Sequence, residues 1–115
     1  MPGPLAGIRV LDLTSVVSGP LATMFLADQG ADVIKIEPLG GDITRHSRQS
    51  VSASGEFSAL FVTTNRGKRS LSLDLKQPEA AKIMRKLITT SDVLVQNFRP
   101  GRMERLGLGE PSFVP

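Results

Sequence analysis

Cysteine, tryptophan and tyrosine are absent from this 115-residue sequence, and histidine occurs once. Without cysteine there is no disulfide, no thiol nucleophile and no thiolate metal site, and a reducing, cytoplasmic setting is the compartment such a composition fits. A single histidine leaves no ligand set for a transition metal, so no metal site is expected. No apolar run approaches the ~20 residues of a membrane helix. Met1 is followed by Pro-Gly-Pro rather than a basic and then an apolar stretch, so the sequence reads as carrying no secretory signal. The five phenylalanines are not interleaved with the basic turns, as a stacking platform for nucleic acid requires.

What is present is an ordinary globular composition, 40% apolar and 22% charged, enough for one domain with a modest core. The net charge of +3 hides an asymmetry. Through residue 44 there are two basic residues against five acidic; from Arg45 onward there are twelve against six. The positive second half suits an anionic partner, whether nucleic acid, a membrane surface or a phosphorylated small molecule, and composition does not choose among them.

The apolar pattern predicts strands over 8–13, 32–37, 70–75 and 92–96. A helix starts at Ser18-Gly19-Pro20, with Pro20 at the first helical position and Gly30 placed to end it. Further helices are predicted over 56–64, from Pro78 with Ala80, Ile83, Met84, Leu87 and Ile88 on one face, and after Pro100-Gly101. The polar, Ser-rich stretch 40–55 reads as a long loop. This alternation is that of an α/β fold: an open, mainly parallel, Rossmann-like sheet with helices on both faces. Such sheets bind ligands at the carboxyl ends of their strands, here residues 14–18, 37–42, 74–76 and 97–99.

Glu37 stands where dinucleotide enzymes hold a ribose hydroxyl, yet the first turn has one glycine instead of G-x-G-x-x-G, which argues against NAD. The helix start at Gly19-Pro20 serves equally as an anion rest or as a capped helix without a ligand. The basic turns 65–69 and 99–105 read as solvated faces, phosphate-recognition elements or nucleic-acid contacts. His46 reads as an exposed bystander. Asp12 is better suited to bonding neighbouring backbone than to reacting. No Ser, Thr or Lys has a base beside it in sequence.

Several stretches together are distinctive. They are Leu5-Ala6-Gly7-Ile8-Arg9-Val10-Leu11-Asp12-Leu13-Thr14 with Gly19-Pro20, then Leu26-Ala27-Asp28-Gln29-Gly30-Ala31-Asp32-Val33-Ile34-Lys35-Ile36-Glu37-Pro38. Gly41-Asp42, Asn65-Arg66-Gly67-Lys68-Arg69-Ser70, Leu73-Asp74-Leu75-Lys76, Asp92-Val93-Leu94-Val95-Gln96-Asn97-Phe98-Arg99-Pro100-Gly101 and Met103-Glu104-Arg105-Leu106-Gly107-Leu108-Gly109 follow in order. As a set they resemble the opening of the class III CoA-transferases, the family of formyl-CoA transferase, the carnitine and bile-acid CoA-transferases and α-methylacyl-CoA racemase.

The resemblance implies that residues 1–115 are the N-terminal part of the family's larger CoA-binding α/β domain, with the rest of the enzyme absent. It carries over CoA contacts at Val17, Ser18, Leu73, Lys76, Asn97, Phe98, Arg99 and Arg105. Lys76 and Arg105 would neutralise phosphates, while Leu73 and Phe98 would give apolar wall. Some members have an Arg after the acid of the second strand; Pro38 stands there in this chain. The implied reaction moves CoA between carboxylic acids through an aspartyl-enzyme intermediate. The nucleophile lies beyond these residues, so no catalytic residue is assigned and the 115 residues alone are expected to be inactive. No cofactor is held permanently; acyl-CoA and a carboxylic acid acceptor are the substrates, with neither nucleic acid nor membrane as partner. The complete protein would be an interlocked homodimer. The alternatives are racemase chemistry within the same family and, from another class, a basic module that binds nucleic acid.

Overall fold

The computed structural model describes residues 3–46 and 58–109. Along them run β1 (Arg9–Asp12), α1 (Ser18–Asp28), β2 (Asp32–Glu37), a 3-10 turn (Ile43–His46), α2 (Ala59–Asn65), β3 (Arg69–Ser72), α3 (Pro78–Thr89), β4 (Val93–Val95) and α4 (Arg102–Arg105). The strands form one sheet in the order β3-β2-β1-β4 with every pairing parallel. Val10 of β1 sits opposite Val33 on one side and Val93 on the other. The chain therefore winds from β1 out to β3, then returns across β1 to lay down β4. That reversal opens a crevice between the carboxyl ends of β1 and β4, the place where doubly wound sheets bind ligands.

Alternation of side chains across the sheet builds two cores. Leu11, Leu13, Ile34 and Ile36 meet Met84 of α3, Met103 of α4 and Leu108. On the other face Val10, Val33 and Ala31 pack with Leu26 and Ala27 of α1. Both faces of the open α/β sheet are covered, as the sequence pattern predicts. Gly30, at φ +100 just after α1, ends that helix as expected. Among the described residues, no helix is long and apolar enough to cross a membrane.

Four details differ from the sequence reading. The third strand ends at Ser72 rather than residue 75. Its last backbone bond to β2 is Leu73 N–H to the Glu37 carbonyl, 2.9 Å, just where β2 itself ends. Asp74 therefore lies in a loop, not in a strand. The helix expected over 56–64 runs from Ala59 to Asn65, capped by Ser58, whose hydroxyl oxygen accepts the Phe61 N–H at 3.0 Å. Helix α1 starts at Ser18, so Pro20 is its third residue, still within the turn whose N–H groups lack helical partners. Ile83 is exposed, whereas Ala80, Ala81 and Met84 carry the buried face of α3. The predicted loop over 40–55 contains the 3-10 turn; its residues 47–55, like Glu56 and Phe57 of the predicted helix, lie outside the described residues.

Candidate functional site

A cleft of about 770 Å³ opens at the carboxyl edge of the sheet. Residues 13–15 after β1, 36–43 at and after β2, and 73–76 after β3 line it, closed on the β4 side by Phe98 and Arg102. Its size lies in the range of small-molecule sites. The forecast from strand ends is met here by four separate loops. Arg102, from the basic turn 99–105 but outside the CoA-contact set that the resemblance implied, stacks its guanidinium on the Phe98 ring at 4.6 Å. His46 also lines the cleft, with Nε2 3.1 Å from the Gly40 carbonyl.

Beneath the lips of the cleft lies a buried charged layer on the α1 face of the sheet. Alternation places Asp12, Lys35 and Glu37 on that face, and each is at most 2% exposed. Asp12 Oδ2 accepts Lys68 Nζ and Thr23 Oγ1, both at 2.8 Å, while Oδ1 accepts the Thr14 N–H at 2.9 Å and the Thr14 hydroxyl. The other Lys68 donors go to the Pro20 carbonyl and Asn65 Oδ1. Lys35 Nζ pairs with Asp42 Oδ2 at 2.8 Å and reaches the Thr14 carbonyl at 3.2 Å. Glu37 accepts Arg45 through both oxygens, at 2.7 and 2.8 Å, together with the Asp42 N–H and the Ser70 hydroxyl.

These partners decide the protonation states. Burial alone would raise the Glu37 carboxyl; the Arg45 guanidinium, the Ser70 hydroxyl and the Asp42 N–H outweigh it and hold the group at about 2. Burial likewise opposes Asp42, and the bonds from Lys35 and Thr44 still bring its carboxyl below the usual range. Burial pushes the Lys68 ammonium down, with the Asp12 carboxylate opposing that shift. Glu37 is thus fully engaged inside the protein and has no lone pair to offer a ribose hydroxyl. The NAD reading loses its last residue.

The same pairs explain the charge asymmetry. All five acids of the first 44 residues are ion-paired: Asp12 with Lys68, Asp28 with Arg66, Asp32 with Arg69 and Arg9, Glu37 with Arg45, and Asp42 with Lys35. Four of them take a base from the second half of the chain. The turn 65–69, open in sequence to phosphate or nucleic acid, has Arg66, Lys68 and Arg69 engaged in these pairs.

The structure brings together part of the predicted CoA-contact set. Leu73, Lys76 and Phe98 line the cleft. Lys76 also borders a smaller hollow of about 250 Å³ whose wall includes Arg105. Val17 and Ser18 are exposed at the start of α1, and Arg99 is exposed after β4; none of the three lines the cleft. Asn97 is turned to the loop after β1, where it binds both backbone groups of Ser15. The lining from Pro38 to Ile43 falls at a strand end forecast from the sheet rule, though outside the CoA-contact set, and its shape follows from Glu37: a charged residue ending a buried strand has to find its partners in the next loop. No group of three or more potential metal ligands occurs among the described residues.

Gly19 is needed where α1 abuts this site. A Cβ there would stand 2.4 Å from Thr14 Cβ and 2.8 Å from its Oγ1. Gly19→Ala is expected to destabilise the chain by about 1–3 kcal/mol, the cost of overpacking a tight contact, and to move Thr14 from Asp12. Urea unfolding checks the first effect, and the chemical shift of the Thr14 amide checks the second.

Residues 5–114 match CoA-transferase family III. The chain is 48% identical over 114 residues to the succinate–glutarate CoA-transferase of Agrobacterium fabrum, covering 95% of this chain and 28% of that protein. It is 48% identical over 109 residues to the formyl-CoA:oxalate CoA-transferase of Escherichia coli, covering 93% and 26%. The fold superposes with a TM-score of 0.88 on a crystal structure of a mutant of Rv3272 from Mycobacterium tuberculosis, at 45% identity over 97% of this chain and 30% of that one. The chain thus spans between a quarter and a third of the length of these relatives. This chain belongs to CoA-transferase family III.

Proposed function

We propose that these residues are the N-terminal, CoA-binding part of an enzyme that moves CoA between carboxylic acids. The cleft carries this reading: at the carboxyl ends of a doubly wound sheet it sets an apolar wall, Leu73 and Phe98, beside Lys76. In this reading the phosphates of CoA lie along the rim from Lys76 to Arg105, and the pantetheine arm runs past Phe98 toward Ser15. Val17, Ser18, Asn97 and Arg99 complete the surface that meets it. Both curated relatives above are named as CoA-transferases, which supports transfer over racemisation. The aspartate that would carry the aspartyl intermediate comes, in this reading, from sequence outside these residues. No permanent cofactor is required, the acyl-CoA and the acceptor acid being substrates, and the whole enzyme works as an interlocked homodimer in the cytoplasm.

Titration of the chain with CoA by calorimetry tests the reading. Binding without thioester turnover is expected. Lys76→Ala should weaken CoA by about tenfold or more, because a charge-assisted bond contributes about 1.5–3 kcal/mol, and should weaken dephosphorylated pantetheine far less. Absence of CoA binding by the unmodified chain would overturn the proposal.

A further inference from the structure

The loop after β1 holds a conformation that its residue disfavours. Val16 has φ +74, and it is the one non-glycine residue with positive φ among those described. A β-branched side chain crowds the backbone in that left-handed region, which glycine enters freely. Packing does not compensate, because Val16 is 52% exposed. Something else holds the kink, and strained positions persist only where their surroundings over-determine them.

Three side chains fix the residues just before it. Asp12 accepts the Thr14 N–H at 2.9 Å, and Lys35 donates to the Thr14 carbonyl at 3.2 Å. Asn97 then takes both backbone groups of Ser15: its Oδ1 accepts the N–H at 3.2 Å, and its Nδ2 donates to the carbonyl at 2.9 Å. The last main-chain bond between the two strands is Leu13 N–H to the Val95 carbonyl, 2.8 Å. The Asn97 amide therefore extends the β1–β4 ladder by a side chain, across the crevice where the strand order reverses. On the far side, the Val17 carbonyl is already bound by the Leu21 N–H of α1.

We propose that Asn97 is a positioning residue that acts through Ser15, clamping the β1 loop so that Val16 stays in the left-handed kink and the lip of the cleft keeps its shape. Its consequence for CoA rests on the binding reading above; the clamp itself does not.

A double-mutant cycle on Asn97→Ala and Val16→Gly tests this, with two readouts: CoA affinity by calorimetry and thermal unfolding. Glycine takes φ +74 without strain, so the loop should hold its shape with no clamp. Asn97→Ala alone is expected to weaken CoA about tenfold and lower Tm by about 4 °C. Val16→Gly alone should leave CoA affinity within about twofold. The combined variant should recover most of both losses, since residues sharing one backbone strain are not additive. If the combined variant is as impaired as Asn97→Ala, then Asn97 acts by some route other than the kink, and the clamp is rejected. If the unmodified chain binds no CoA, the CoA reading fails and the clamp stands or falls on the Tm cycle alone. Should Asn97→Ala not fold, Asn97→Asp carries the same cycle through the Tm readout, keeping the acceptor for the Ser15 N–H while setting a carboxylate oxygen against the Ser15 carbonyl.

Discussion

Asp12→Ala is expected to lower the stability of this chain by about 3–5 kcal/mol, the cost of leaving a buried charge without its partner. A domain of this size has about 5–15 kcal/mol in total, so the variant would sit close to unfolding. The loss is large because the Lys68 side chain is 2% exposed and that of Asp12 is 0% exposed. With the carboxylate gone, the ammonium keeps only the neutral oxygens of Pro20 and Asn65. Thr14 loses its acceptor in the same step, and the Thr23 hydroxyl is left with the helix carbonyls of Gly19 and Pro20. The reverse holds for removal of both charges. Asp12→Leu combined with Lys68→Met should recover the share due to the unpaired ammonium, since well-packed apolar pairs commonly match a buried ion pair, while the Thr14 donors stay without their acceptor. Urea unfolding of the three chains checks this. A single variant within 1 kcal/mol of the parent would mean that water reaches Lys68 after all.

Acid is expected to unfold the chain in a window set chiefly by Glu37. Its carboxyl stands at 4.5 when unperturbed and at about 2 in the folded chain. The unfolded chain thus binds this proton more tightly, so stability rises with pH across the window. The contribution is complete above about pH 4.5 and is lost as pH falls through about 2, at an order of magnitude of 3 kcal/mol. Asp42 is shifted in the same direction by Lys35 and Thr44, and steepens the loss. Asp28 and Asp32 are lowered too, but their pairs with Arg66 and Arg69 are exposed and contribute little. Glu37→Gln should be less stable than the parent at pH 7 and show a flatter decline below pH 4.5. Urea midpoints between pH 7 and pH 2.5 decide it; parallel curves for the two chains would reject the assignment to Glu37.

The alternation of strand and helix, the parallel sheet and the placement of the cleft at the strand ends were legible in sequence, because each rests on local pattern. Gly30 and Pro78 mark their helix boundaries through backbone chemistry alone. The charged layer was not legible. Lys35 reads in sequence as one polar residue inside an apolar strand, and its partner Asp42 lies in a stretch that has no periodicity. The turn 65–69 shows how charge misleads: three bases in five residues look like a surface patch, yet their partners Asp12, Asp28 and Asp32 lie on β1, α1 and β2, 37 to 56 residues away. Only the sheet order reveals such pairs. Asn97 was picked out by resemblance as a ligand contact, whereas its geometry speaks to Ser15 first. Val16 carried no signal at all, since nothing in a Val-Val-Ser sequence announces a left-handed residue.

The strand order has a bearing on how the chain is made. β1 leaves the ribosome ahead of the other three strands, and its neighbour β2 follows promptly. Its other neighbour comes far later: Arg9 waits for Asp92, 83 residues downstream. Until then one edge of β1, with Val10 and Leu11, stays unpaired, and Asp12 has no lysine until the turn before β3 is synthesised. At a synthesis rate of about 5–20 residues per second the exposed interval is several seconds, long against the time such segments take to collapse. The nascent chain therefore carries an open strand edge until β4 is made, an interval in which that edge is exposed to pairing with other strands.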